Sequence, residues 1–158
     1  MSEELAPAAK PEKPNILIGA MAGLTVALVS SLIWFAVVVI TNYQLGIVAI
    51  IVGWLIGFCT LKATGGKTSR TLQIIAIAIT IFAMGLSEYL VVNHFTNEYL
   101  DEEGEGKYLP LMLPPNAIAE IIYESIAADP LTLLFWAIAV YQAYKQLEPR
   151  QVVKQTTT

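Results

Sequence analysis

Apolar residues in this chain come in long unbroken runs rather than at the alternating or three-to-four spacing of a half-buried element. The first run, 16–40, holds no charged residue. At about 1.5 Å per residue it is long enough to cross a hydrocarbon layer of about 30 Å with tilt. Asn15 stands directly before it, where a carboxamide oxygen can cap the first turn. Thr41 to Gln44 are too few for anything but a tight helical hairpin, so 45–61 is predicted to return across the same layer. Lys62, Gly65, Gly66, Lys67 and Arg70 combine a glycine stop with positive charge, and a third run, 71–92, follows. The fourth, 131–147, is introduced by Asp129 and Pro130, a carboxylate cap and a proline at the first helical position. Tyr141, Tyr144 and Lys145 suit an interfacial end for it.

The fold expected is therefore an all-α membrane protein with four transmembrane helices, one domain over 15–147, with polar tails at 1–14 and 148–158. A first run this long exceeds the roughly 7–15 residues of a signal-peptide core, so it is expected to remain as a signal anchor. Between the third and fourth runs lies the loop 93–129. Within it, 116–128 puts Ile118, Ile121, Ile122 and Ile126 on one helical face and Glu120 and Glu124 on the other. Too short to span, it is predicted to be an amphipathic helix on the outer surface, its isoleucine face on lipid or on the bundle, entered through Pro114 and Pro115.

Composition agrees with lipid as the solvent: 56% of residues are hydrophobic and 14% charged, with mean hydropathy +0.61, against about 25% charged for soluble domains. Eight of the nine Lys and Arg fall in three clusters: Lys10 and Lys13; Lys62, Lys67 and Arg70; Lys145, Arg150 and Lys154. Lys107 alone lies in 93–129. The positive-inside rule then puts both termini and the Gly65–Gly66 loop in the cytoplasm and 93–129 outside. The net charge of −4 matters less than this placement, and the expected partners are membrane lipids, not nucleic acid. A single cysteine, Cys59, leaves no intramolecular disulfide and no CxxC redox pair.

The most specific pattern is small residues at four-residue spacing. Gly19, Gly23, Ala27 and Ser31 form one ridge, and Ala49, Gly53 and Gly57 another. In lipid, helices associate by close van der Waals contact, which such ridges permit. They predict a close antiparallel hairpin of the first two spans, joined by the third through Ala76, Thr80, Ala83 and Ser87.

Candidate chemistry is sparse. Glu88 is the one acidic residue inside a predicted span and so a functional candidate by default. About 26 Å along its helix from Thr71, it is expected to be interfacial. A functional Glu88 would be a proton or cation site near the outer mouth, beside Ser87 and Asn93. His94, the single histidine, lacks partners for zinc and is a weak candidate for axial ligation of a cofactor. Glu88, Asp101, Glu102, Glu103 and Glu105 are weak cation candidates, but the run from Glu98 to Glu105 lacks EF-hand spacing and reads as a solvated acidic loop. Gly65-Gly66-Lys67-Thr68 fails the phosphate-loop pattern, because Leu61 stands where the first glycine is needed. The span midpoints, near Leu28, Gly53, Ile81 and Ile138, carry no charge or helix break for a transport site. Ser87 and His94, seven residues apart at a membrane edge, do not make a nucleophile and base at depth. No enzyme activity, metal or cofactor is expected.

The glycine ridge after Gly19, Trp34, the Thr41-Asn42-Tyr43-Gln44-Leu45-Gly46 turn, the Val52-Gly53 and Ile56-Gly57 pairs and the Leu134-to-Lys145 segment resemble a group of small bacterial multi-pass inner-membrane proteins with a glycine-ridged N-terminal hairpin. The resemblance implies the four-helix fold and a bacterial inner-membrane location, and carries over no catalytic residues. The expected function is a non-enzymatic membrane subunit or scaffold that packs with itself or within a larger membrane complex. The alternative is an oligomeric ion channel or transporter with an acidic outer vestibule.

Overall fold

In the computed structural model, which describes residues 13–102, 104 and 108–148, the caps read from sequence set the helix starts. Asn15 Oδ1 accepts from the Ile18 amide at 3.2 Å and opens α1 (Ile16–Thr41). Asn42 closes it in the left-handed conformation, φ 54°. After a four-residue turn Gly46 leads into α2 (Ile47–Ala63), which ends at Gly65 and Gly66, both at positive φ as the glycine stop requires. Then come α3 (Arg70–Glu102), α4 (Pro115–Ala128) and α5 (Pro130–Gln146). Asp129 caps α5, one oxygen accepting from the Leu131 amide and the other from the Thr132 hydroxyl, with Pro130 at the first helical position. No strand occurs among the described residues.

Four helices form a ring in the order α1, α2, α5, α3, with α1 and α5 at opposite corners. Gly19 lies against Thr64 and Gly23 against Thr60, so α1 and α2 are antiparallel. Gly19 also meets Leu72, and Ser31 donates to the Ala83 carbonyl at 3.0 Å, so α1 and α3 run the same way. Gly53 faces Ala139 and Gly57 faces Ala143, which lays α5 parallel to α2. Gln73 closes the ring by donating to the Tyr144 carbonyl at 2.9 Å.

The interior is rich in small and hydroxylated residues, among them Ala27, Ser31, Ala49, Ala76, Thr80, Ala83, Ala139 and Ala143, packed with a few large apolar ones such as Trp34, Ile56, Leu72 and Met84. Large apolar side chains cover the outside: Leu17 is 69% exposed, Met21 62%, Ile40 80% and Ile74 66%. This distribution is unsuited to water, where so much exposed apolar surface marks an interaction face, and it is the one expected when hydrocarbon is the solvent. By length and composition α1 and α3 each suffice to cross a membrane. The pair α4 and α5 passes only jointly, bent by 107°, and the 17-residue α2 is a shorter apolar helix. Two helices, or three with the bent pair, therefore carry the integral-membrane character.

Two expectations are corrected. The third helix does not stop at 92 but continues through Glu102, so His94, Glu98, Asp101 and Glu102 are helical rather than in a loop. Its extension is fastened to the returning chain: the Asn97 carboxamide accepts from the Leu109 amide at 2.6 Å and donates to the Leu109 carbonyl, and Tyr89 donates to the Leu111 carbonyl at 2.8 Å.

The amphipathic helix α4 buries none of its residues, and its isoleucine face is turned to the bundle. From Leu109 beside Asn97 to Leu111 beside Tyr89 the chain passes down α3, and α4 climbs back with Ile122 next to Gly85 and Ser125 next to Glu88. Its isoleucine face lies along the apolar flank of α3, with Ile118 and Ile122 beside Ile81, Phe82 and Gly85. The second ridge does not pair with the first, since Gly53 and Gly57 are spent on α5. Against α2, α5 buries Ala139 and Ala143 completely.

Candidate functional site

Glu88 is 4% exposed, and its carboxylate is the meeting point of three elements. Oε2 accepts from Gln44 Nε2 at 2.7 Å, in the turn between α1 and α2. Oε1 accepts from the Ser125 hydroxyl on α4. Both donors are neutral, so two hydrogen bonds rather than a counter-charge offset the cost of burying the group. Sequence reasoning placed Glu88 at an open interface beside Ser87 and Asn93. Neither neighbour serves it: Ser87 donates to the Ala83 carbonyl at 2.8 Å, and Asn93 to the Pro110 carbonyl at 3.4 Å. The carboxylate is buried because α4 folds back over it.

The two residues that hold Glu88 were missed, though each left a trace. Ser125 is the one polar residue on the isoleucine face formed by Ile118, Ile121, Ile122 and Ile126. Gln44 is the last polar residue in a turn too short to be a solvent loop. Next to Gln44 lies a cavity of about 80 Å3 walled also by Trp34, Ala49, Thr132, Phe135 and Trp136. It is large enough for water, which needs roughly 10–15 Å3 per molecule. Trp34, 6% exposed, has a buried indole Nε1–H with no protein acceptor. A buried orphan donor on the wall of a cavity with a carboxamide and a hydroxyl is the setting in which ordered water completes the bonding.

The other candidates do not converge on this point. His94 is half-buried, edge-on to Phe35 at 5.6 Å and to Phe95 at 5.4 Å, which makes its ring a packing element between α1 and α3. Asp101 accepts from the Tyr108 hydroxyl at 2.8 Å, and that bond, followed by the aspartate's charge, pushes the Tyr108 phenol above its ordinary value. Glu102 is exposed, while Glu103 and Glu105 lie outside the described residues. Among the described residues no three His, Cys, Asp or Glu side chains come together as a metal site.

The ridge residues serve the bundle. A Cβ on Gly19 would come within 2.7 Å of Leu72 Cδ1, and one on Gly23 within 2.6 Å of the Thr60 hydroxyl. On Gly53 it would run into the Ala139 backbone, and on Gly57 it would come within 3.1 Å of Ala143 Cα. Ala27 and Ser31 are buried where α1 crosses α3, and Ala49 is buried on α2. Comparison with family models, curated proteins and solved structures finds no match.

Proposed function

We propose that the chain is a non-catalytic subunit or scaffold of a bacterial inner membrane, crossing it four times with both termini cytoplasmic. The observation that carries this reading is the distribution of side chains, an interior rich in small and hydroxylated residues under an outside covered by large apolar ones. It supports a bundle built to sit in hydrocarbon and to present Leu and Ile faces to lipid or to neighbouring helices. The helix directions favour the four crossings: Lys62, Arg70 and Lys145 gather at one end of the ring, and Glu88, Glu98, Asp101 and Glu102 at the other. With the glycine ridges consumed inside one chain, partners would dock on the outer faces or on the acidic end. Purification in mild detergent followed by mass measurement of the intact particle tests the proposal. A particle larger than one chain, or a reproducible membrane partner, is expected. A clean single chain without partner would overturn it.

One specific observation favours a second reading. The Glu88, Gln44 and Ser125 cluster beside the Trp34 cavity has the composition of a proton or small-cation site at the acidic end, as in an oligomeric channel or transporter. Liposome flux that is abolished by Glu88→Gln supports it, and flux indifferent to that change counts against it.

A further inference from the structure

Each described glycine but one is required by its backbone or its neighbours. Gly65, Gly66 and Gly104 have positive φ, and Gly19, Gly23, Gly46, Gly53 and Gly57 stand where a Cβ would crowd another helix. Gly85 is the exception. It sits in the interior of α3, where glycine weakens a helix, and a Cβ there would meet only Ile122 Cδ1, at an ordinary 3.5 Å. What its missing side chain does create is space. Gly85 lies at the floor of an open groove of about 440 Å3 between α3, α4 and α5, walled by Ile81, Phe82, Ile118, Ile122 and Trp136. That volume lies in the range of small-molecule sites, roughly 300–1,000 Å3.

We infer that this groove binds one acyl chain of a bilayer phospholipid, with Gly85 as its floor and α4 as its wall. Its walls offer almost nothing to a polar ligand. Tyr89 is the one lining residue with a polar atom beyond the backbone and the Trp136 indole, and its hydroxyl is already committed to the Leu111 carbonyl. The groove is also continuous with the outer apolar surface of α3: Ile81 is 48% exposed and Phe82 50%. On a helix long and apolar enough to cross a membrane, that surface faces hydrocarbon, and a cleft opening onto hydrocarbon is filled by the chains around it. The inference rests on the membrane-embedded reading, though not on the subunit role.

The test uses the full chain with Trp34→Phe and Trp54→Phe, leaving Trp136 as the sole tryptophan, excited selectively, in vesicles containing phosphatidylcholine brominated on its acyl chains. A bound chain makes Trp136 quenching rise steeply and saturate at low brominated fraction. Gly85→Ala is expected to keep that component, and Gly85→Leu, which fills the floor, to lose it. Quenching that follows bulk composition linearly in the unsubstituted groove overturns the proposal, whether or not Gly85→Leu folds. Native mass spectrometry identifies the source: a retained phospholipid mass supports the assignment, and a retained isoprenoid or other non-phospholipid mass overturns it. Flotation separates the two readings, since protein that fails to float with vesicles removes the membrane reading and this one with it. Protein that floats with a linear quenching curve removes this one alone.

Discussion

Gln44 donates to Glu88 across the top of the bundle at 2.7 Å, tying the turn between the first two helices to a carboxylate on the third. Because Glu88 is almost fully buried, the bond matters most for what its loss would leave behind. Gln44→Leu removes one of two neutral donors and strands a buried acceptor, a change expected to cost about 1–3 kcal/mol. Glu88→Gln keeps the shape and an acceptor oxygen while removing the charge, so it is expected to cost less. Thermal unfolding of both variants in the same detergent checks the order. Equal midpoints for the two would show that the Gln44 bond is not what stabilises the carboxylate.

Substitutions in the ridges should rank by what the new Cβ meets. At Gly53 the obstacle is the Ala139 backbone, which cannot rotate away, so Gly53→Ala should separate α2 from α5 and cost more than the roughly 1–3 kcal/mol of ordinary overpacking. Gly57→Ala, facing Ala143 Cα at 3.1 Å, needs only a small shift. At Gly19 the obstacles are side-chain methyls, Leu72 Cδ1 at 2.7 Å and Thr64 Cγ2 at 2.8 Å, so Gly19→Ala should cost less than Gly53→Ala, which meets backbone. Unfolding in detergent is expected to put Gly53→Ala lowest by a clear margin. A Gly19→Ala variant as damaged as Gly53→Ala would mean that α1 and α2, not α2 and α5, set the bundle's stability.

Much of this fold was legible because lipid imposes simple rules. Long apolar runs gave the positions of the helices, Asn15 and Asp129 their starts, and Gly65 and Gly66 a stop. Partner choice was not legible: a four-residue ridge says that a backbone comes close, not which one, and Gly53 would read the same opposite α1 or α5. The small face of α5 rests on only two alanines, Ala139 and Ala143, and the Leu134, Phe135 and Trp136 cluster next to them hides it. The Glu88 site was half legible. The carboxylate stood out in an apolar run, but its burial depends on Ser125 folding back from 37 residues away, and a pattern of one helix face cannot announce such a return.

Tyr108 offers a pH readout outside the spans. Its hydroxyl is bonded to Asp101, and first that bond, then the charge of Asp101, raises the phenol's pKa above its ordinary value of 10.0. A phenol whose folded pKa is raised is favoured in its neutral form. The contribution is therefore fully present below the unfolded value and is lost as pH climbs through the folded one. Difference absorbance of the phenolate, taken between the parent and Tyr108→Phe, should show Tyr108 titrating later than a free tyrosine. Asp101→Asn should bring it back toward 10.0. A Tyr108 that titrates normally with Asp101 in place would show the two side chains apart in solution.

Sidedness can be read directly because Cys59 is the only native thiol. In a Cys59→Ala background, Glu102→Cys and Glu148→Cys place single exposed thiols at opposite ends of the ring, Glu102 at the end of α3 and Glu148 just past α5. The cluster of Lys62, Arg70 and Lys145 lies at the Glu148 end, and positive charge holds its side of a helix in the cytoplasm. In intact cells an impermeant maleimide is therefore expected to label Glu102→Cys at once and Glu148→Cys only after permeabilisation. Both ends labelling together in intact cells would mean that the ring does not separate two compartments. The reversed pattern would keep the crossings and invert them, moving Glu88, its two donors and the groove at Gly85 to the cytoplasmic half.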